Sequence, residues 1–178
     1  MVHQRLRARS GFFLPLIILF CLTLFLPSFP RSADFYIVKR VIDGDTLLLS
    51  NGERVRLIGV DTPEVHVSNK LYRDAERSRR DIKTIRRLGR RASAFVRKLV
   101  QGKRVRLEYD QANAAIGHRD RYRRILAYVY LEDGTLLNAE IIRRGYGVAY
   151  TRYPFRYAAE FRRYEREAKE KGRGLWRN

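Results

Sequence analysis

Carboxylates gather in two short segments of this chain. The first is Val41-Ile42-Asp43-Gly44-Asp45-Thr46, and the second is Arg56-Leu57-Ile58-Gly59-Val60-Asp61-Thr62-Pro63-Glu64. Asp43, Asp45, Asp61 and Glu64 offer hard oxygen donors, with neither Cys nor His inside either segment. Such a donor set suits Ca²⁺ or Mg²⁺ rather than zinc. Either segment alone reads as a turn signal, because Asp, Gly and Pro all favour turns. Both lie at or just beyond the end of a strand, where hairpin pairing can bring them together. With Arg56 set beside them, metal binding outweighs the turn reading.

The elements that must position these residues are legible as patterns. Tyr36-Ile37-Val38 and Leu47-Leu48-Leu49 are apolar runs, and Val55 and Leu57 alternate with Arg56 and Ile58. Asn51-Gly52 stands between the last two runs and predicts a tight type I′ hairpin, in which both residues take positive φ. Ile85, Leu88, Ala92, Phe95 and Leu99 recur at helical spacing, with Gly102 as the stop. Val105, Leu107 and Tyr109 alternate as a strand, followed by a polar loop through Gly117 and Asp120. Ile125, Ala127 and Val129 form another strand, closed by Asp133-Gly134. Asn138 is placed to cap a short helix that holds Ile141 and Ile142 and ends at Gly145. Tyr157, Phe161, Tyr164 and Ala168 make a last helical stripe. Strands, helix, strands, then helices read as α+β, and about five short strands suit a small Greek-key barrel of the OB type.

Composition narrows the partner. The chain has 178 residues, 38 Lys plus Arg against 19 Asp plus Glu, and a formal net charge of +19. Its single cysteine, Cys21, excludes a disulfide framework and a Cys-rich zinc site. Arg5, Arg7 and Arg9 precede an uncharged run from Ser10 to Pro30, the pattern of an export signal. That run is also long enough for a membrane-spanning helix through residues 11–29. Residues 1–30 are therefore read as a signal peptide or signal-anchor segment forming an apolar helix, and 31–178 as the folded domain. Residues 1–30 hold three Arg and no acid, so the remainder keeps +16 of the +19. A charge that large on the folded part points to a polyanion, nucleic acid or an anionic membrane surface.

Ile42-Asp43-Gly44-Asp45-Thr46, the segment Arg56 to Glu64, and Asp120-Arg121-Tyr122-Arg123-Arg124 resemble the three signatures of the staphylococcal nuclease (thermonuclease) family. Ala92-Ser93-Ala94-Phe95 and the ending Gly174-Leu175-Trp176 are similar to its text as well. The resemblance runs from Phe35 to Trp176. It implies a five-stranded OB barrel with about three helices, and a Ca²⁺-dependent phosphodiesterase acting on DNA or RNA with little base specificity. It further implies products bearing 3′-phosphate and 5′-hydroxyl ends. Carried over by residue, Asp45 and Asp61 are direct metal ligands, the Thr62 backbone carbonyl is a third, and Asp43 acts through water. Glu64 orients or deprotonates the attacking water, Arg56 and Arg124 are the catalytic guanidiniums, and Tyr122 and Tyr150 line the nucleotide pocket. Asp120 matches an acidic residue beside that pocket.

Three places depart from the family pattern. Arg123 stands where glycine is common, and after Tyr150 the chain reads Thr151-Arg152-Tyr153, which displaces or replaces a second pocket tyrosine. The connection from 65 to 91 is longer than usual and reads as a basic helical insertion. It carries ten basic residues against Asp74, Glu76 and Asp81. It is either a solvated face or a clamp on a phosphate backbone. His66 and His118, lone histidines in polar loops, are left out of the site. The expectation is an exported monomeric nuclease, membrane-anchored outside the cytoplasm or secreted if the leader is cleaved. The alternative is a non-catalytic OB-fold module that binds single-stranded nucleic acid.

Overall fold

The computed structural model describes residues 34–177. The apolar run read as an export signal or anchor, with Cys21 in it, lies outside those residues. Among the described residues no helix is long and apolar enough to cross a membrane. Five strands close into a barrel in the order β1 (Phe35–Asp43), β2 (Thr46–Leu49), β3 (Arg54–Leu57), β6 (Ile125–Leu131) and β5 (Arg104–Glu108). The β3–β6 pair is parallel and the others antiparallel. A second ribbon pairs β4 (Val60–Asp61) with β7 (Val148–Ala149). Among the described residues there are four α-helices, α1 (Asn69–Ser78), α2 (Ile82–Val100), α3 (Leu137–Arg143) and α4 (Ala158–Glu170), with α1 packed on α2. The α+β barrel matches the expectation. The helix count exceeds it because the basic insertion folds as α1, a helix of its own.

Barrel closure follows from the long first strand. β1 pairs with β2 along its second half and with β5 along its first. Val38 and Val41 are both buried although an ideal strand would point them to opposite faces. A register shift between Val38 and Arg40 absorbs the extra residue and turns Val41 inward. The interior is filled by Leu47, Leu49, Val55, Leu57, Ala127 and Val129. α2 closes one end with Val96 and Val100, and each such side chain contributes about 1.5–3 kcal/mol of burial. The predicted α2 stripe is nearly right. Ile85, Leu88 and Ala92 are buried, while Phe95 lies at its edge and stacks on Tyr146 at 4.1 Å between ring centres.

Two local readings are corrected. The turn at Asn51-Gly52 is not type I′, since Gly52 alone has positive φ (86°) and Asn51 does not. Instead the Gly52 N–H donates to the Leu49 carbonyl, and the Leu49 N–H donates to Glu53. This is a three-residue hairpin loop with glycine in the left-handed position. Asn138 caps nothing. It lies inside α3, fully buried, where its carbonyl accepts from the Val129 N–H and its amide donates to Ile58 and Ala127 carbonyls. It joins helix to barrel by pairing the Val129 N–H and the Ile58 carbonyl, and it shares the Ala127 carbonyl with the Ile58 N–H. The polar loop after β5 holds a 3₁₀ turn at Gln111–Ile116, and Tyr109 leaves the strand to stack on His118.

Candidate active site

The hairpin registers carry the two acidic segments to one end of the barrel. Thr46 opens β2 and faces Arg56 of β3 across the ladder, which sets Arg56 beside Asp45. Beyond Leu57 the chain turns at Ile58-Gly59 into β4, which pairs with β7 and brings Asp61 to the same guanidinium. Arg56 Nη1 lies 3.1 Å from Asp45 Oδ2, and Nη2 lies 3.2 Å from Asp61 Oδ1. Nη1 also donates to the Val60 carbonyl at 2.7 Å. With only 15% of its side chain exposed, Arg56 is locked in one orientation between two carboxylates.

Asp45 is the centre of this network. Its Oδ2 accepts from the Thr62 N–H at 3.1 Å and the Thr62 hydroxyl at 3.2 Å. Its Oδ1 accepts from the Thr46 hydroxyl at 3.0 Å. Arg124 reaches the same place from the loop just before β6, the strand that pairs with β3 on the side away from β2. Its Nη1 donates to the Thr46 hydroxyl at 3.3 Å. Two guanidiniums, one from strand β3 and one from the loop before β6, thus meet one Asp–Thr pair. Thr46 was not among the residues singled out in the sequence, and only strand register shows that its hydroxyl links the arginines.

Asp120 aims Arg124. Its carboxylate accepts from Arg124 Nε at 2.8 Å and from the Tyr122 and Arg124 backbone N–H groups. Burial alone would raise the Asp120 carboxyl, but the Arg124 side chain and these N–H groups hold it below its ordinary value. Tyr122 is exposed, with the Arg124 guanidinium 5.4 Å from its ring centre. Arg123, in the position where the family commonly has glycine, sits at φ 62°. That is the left-handed conformation glycine takes freely and a side chain does not.

The other predicted residues flank this network. Glu64 follows β4, and its backbone presses on α2 so closely that a Cβ on Gly89 would lie 2.6 Å from the Pro63 and Glu64 carbonyl oxygens. Gly89 therefore sets how near Glu64 comes to the helix. Asp43, at the end of β1, lies 3.9 Å from His66 Nε2, so the histidine set aside in the sequence borders the site. Tyr150 follows β7 and donates its N–H to the Gly59 carbonyl. Its ring centre is 6.2 Å from that of Tyr153, both rings are exposed, and Arg152 covers Tyr153. Tyr153 thus accompanies Tyr150 despite its displaced position in the chain.

The donors at this end suit a hard cation. Asp45 and Asp61 supply two carboxylates around one guanidinium, and the Thr62 backbone adjoins both. Among the described residues no three Asp, Glu, His or Cys side chains gather closely enough to hold a metal by themselves. A cation that needs six to eight oxygens would then take the rest from water and from a bound phosphate.

Comparison with known proteins adds to this geometry. Residues 54–178 match the family described as Staphylococcal nuclease homologue. The chain is 37% identical over 147 residues to a thermonuclease of Staphylococcus intermedius, covering 80% of this chain and 76% of that one. It is 31% identical over 147 residues, with the same coverage, to a thermonuclease of Staphylococcus hyicus. It is also 32% identical over 160 residues to an uncharacterized endonuclease of Escherichia coli, covering 87% of this chain and 86% of that one.

Proposed function

We propose, from the premise that the chain belongs to the staphylococcal nuclease family, that this nuclease is a Ca²⁺-dependent endonuclease of DNA and RNA with little base specificity. The observation that carries the reading is the convergence of Arg56 and Arg124 on the Asp45–Thr46 pair. Guanidiniums held by protein partners before substrate arrives need no reorganisation when charge grows on the non-bridging phosphate oxygens. Asp45 and Asp61, with the Thr62 carbonyl and Asp43 through water, would hold the cation, which supplies Lewis-acid polarisation of the phosphate when bound. Glu64 orients the attacking water. Water adds across the P–O5′ bond, and the departing oxygen takes up a proton, which leaves a 3′-phosphate and a 5′-hydroxyl. Exposed Tyr122 and Tyr150 receive the bases by stacking. The export signal or anchor in residues 1–30, placement outside the cytoplasm and a monomeric state belong to the same proposal.

The test is cleavage of plasmid DNA and of RNA by the full chain in mild detergent. It is run with Ca²⁺, with a calcium-specific chelator, and with Mg²⁺ in place of Ca²⁺. Cleavage should require Ca²⁺, and Mg²⁺ should support it poorly because it keeps its waters and demands a tight octahedron. Asp45→Ala and Asp61→Ala should abolish cleavage supported by Ca²⁺. Full activity in chelator would overturn the metal requirement. Binding of single strands without cleavage under any condition would establish the non-catalytic alternative.

A further inference from the structure

The insertion that sets this chain apart does more than carry charge. Ser68 accepts from the Leu71 N–H and caps α1, Leu71 is fully buried, and Asp81 caps α2 in the same way through the Thr84 N–H. Between the helices Arg79 takes a left-handed φ of 53° and closes α1. Arg86 Nε donates to the Val65 carbonyl at 2.9 Å, which ties the entry of the insertion to α2. The insertion is a held structure. It sorts its arginines by role: Arg86 is a tether, and Arg91 donates to the Gly174 carbonyl near the C-terminus.

Arg77 and Arg80 have another place. They line a cleft of about 230 Å³ that Asp61, Thr62 and Pro63 line as well. The cleft thus shares two residues with the candidate metal site, and its contents would be continuous with a phosphodiester held there. Ile85, Leu88 and Val148 make its lining partly apolar, which suits a sugar ring. From the insertion two arginines accompany one carboxylate, Asp74, while Asp61 is already paired with Arg56 at 3.2 Å. Both arginines are exposed, and guanidinium forks match phosphate oxygens in pairs.

We propose that this cleft is a second phosphate subsite, occupied by the sugar-phosphate of the nucleotide next to the scissile bond, with Arg77 and Arg80 as its anchors. The proposal rests on the nuclease reading. It assigns these two residues a part in holding longer substrates and none in the chemical step. A single strand, whose backbone bends freely, fits a cleft of this size better than a duplex does.

The experiment compares the full chain with an Arg77→Ala/Arg80→Ala double variant and with Arg77→Lys/Arg80→Lys, which keeps the charge and loses the fork. Lys83→Ala/Arg87→Ala removes equal charge from residues outside the cleft and serves as the control. KM and kcat are measured on a single-stranded oligonucleotide of about twenty nucleotides and on a dinucleotide with one diester, too short to fill both subsites. The alanine pair should raise KM on the oligonucleotide by about tenfold or more, with kcat within about twofold and the dinucleotide parameters unchanged. The lysine pair should fall between, and the control should behave as the parent. Binding of a fluorescent single strand in chelator is titrated at several salt concentrations. Loss of two phosphate contacts should make the log–log slope shallower by about 1.4. An unchanged KM, an equal loss on the dinucleotide, or an equal loss in the control would overturn the subsite. A chain that cleaves nothing would refute the nuclease reading alone, and the salt slope would still decide the subsite.

Discussion

Replacing Arg123 by glycine should stabilise the protein, although it removes a charge from the mouth of the site. Arg123 holds φ 62°, where an L side chain crowds its own backbone, a cost of about 1–2 kcal/mol. The surrounding bonds impose that conformation. The Arg123 N–H donates to the Asp120 carbonyl, and its own carbonyl accepts from Arg119 Nη1 at 2.8 Å. Glycine adopts the same φ without strain but enlarges the freedom of the unfolded chain, which returns about 0.4–1 kcal/mol. The balance is about 0.5–1 kcal/mol in favour of glycine. For a domain of this size that is a rise of about 1–4 °C in Tm. The assay is thermal unfolding at neutral pH of the parent, Arg123→Gly and Arg123→Ala. Alanine removes the same charge and keeps the strain, so it should gain nothing. If alanine stabilised as much as glycine, charge relief and not backbone strain would be the cause. If glycine lowered Tm, the reasoning would fail.

Arg124→Ala should lower kcat by about 10²–10³-fold, and Arg56→Ala by a similar factor. The Arg56 variant should also lose stability, because Asp45 and Asp61 then face each other without the guanidinium between them; steady-state kinetics and thermal melts separate the two effects. Gly89→Ala should cost about 1–3 kcal/mol and lower activity together, since the new methyl group meets the Pro63 and Glu64 carbonyls at 2.6 Å; an unchanged kcat would show that Glu64 does not depend on this approach. Asp110 is buried, which by itself would raise its carboxyl, but bonds from the Arg156 and Ala112 N–H groups and the Tyr128 hydroxyl hold it below its ordinary value. A lowered carboxylate contributes stability that is complete above its unfolded value of about 3.9 and is lost as pH falls through its folded value. Asp110→Asn should therefore be less stable at pH 7 and show a flatter dependence of Tm on pH below about 4; an unaltered slope would remove Asp110 from the acid transition.

Most of the barrel was legible because its strands and helices each bury one face. The alternation at β3 and β6 and the spacing along α2 record that burial directly. The misses fall where a residue serves a distant partner. Asn138 resembles a cap by type, and only the barrel end beneath it reveals the three backbone groups that it satisfies. At Asn51-Gly52 the pair signals a hairpin but not its length. Loop length depends on which residues of β2 and β3 face each other, and here Leu49 bonds to Glu53 across a three-residue loop.

The sequence by itself determined the chemistry of the site. Its carboxylates, its two motif arginines, its excess positive charge and the departure at Arg123 are matters of residue type and order. Tertiary structure decided which of these groups meet. Arg56 and Arg124 are 68 positions apart, and they share the Asp45–Thr46 pair only because β3 lies between β2 and β6. The same holds for the insertion. Its ten basic residues are alike in sequence, yet one ties down a loop, one holds the C-terminus and two line a cleft at Asp61. Side-chain type sets what a group can do. The packing of α1 on α2, and of α2 on the residues that follow β4, sets what it can reach, and reach is a property of long-range contacts that no local pattern encodes.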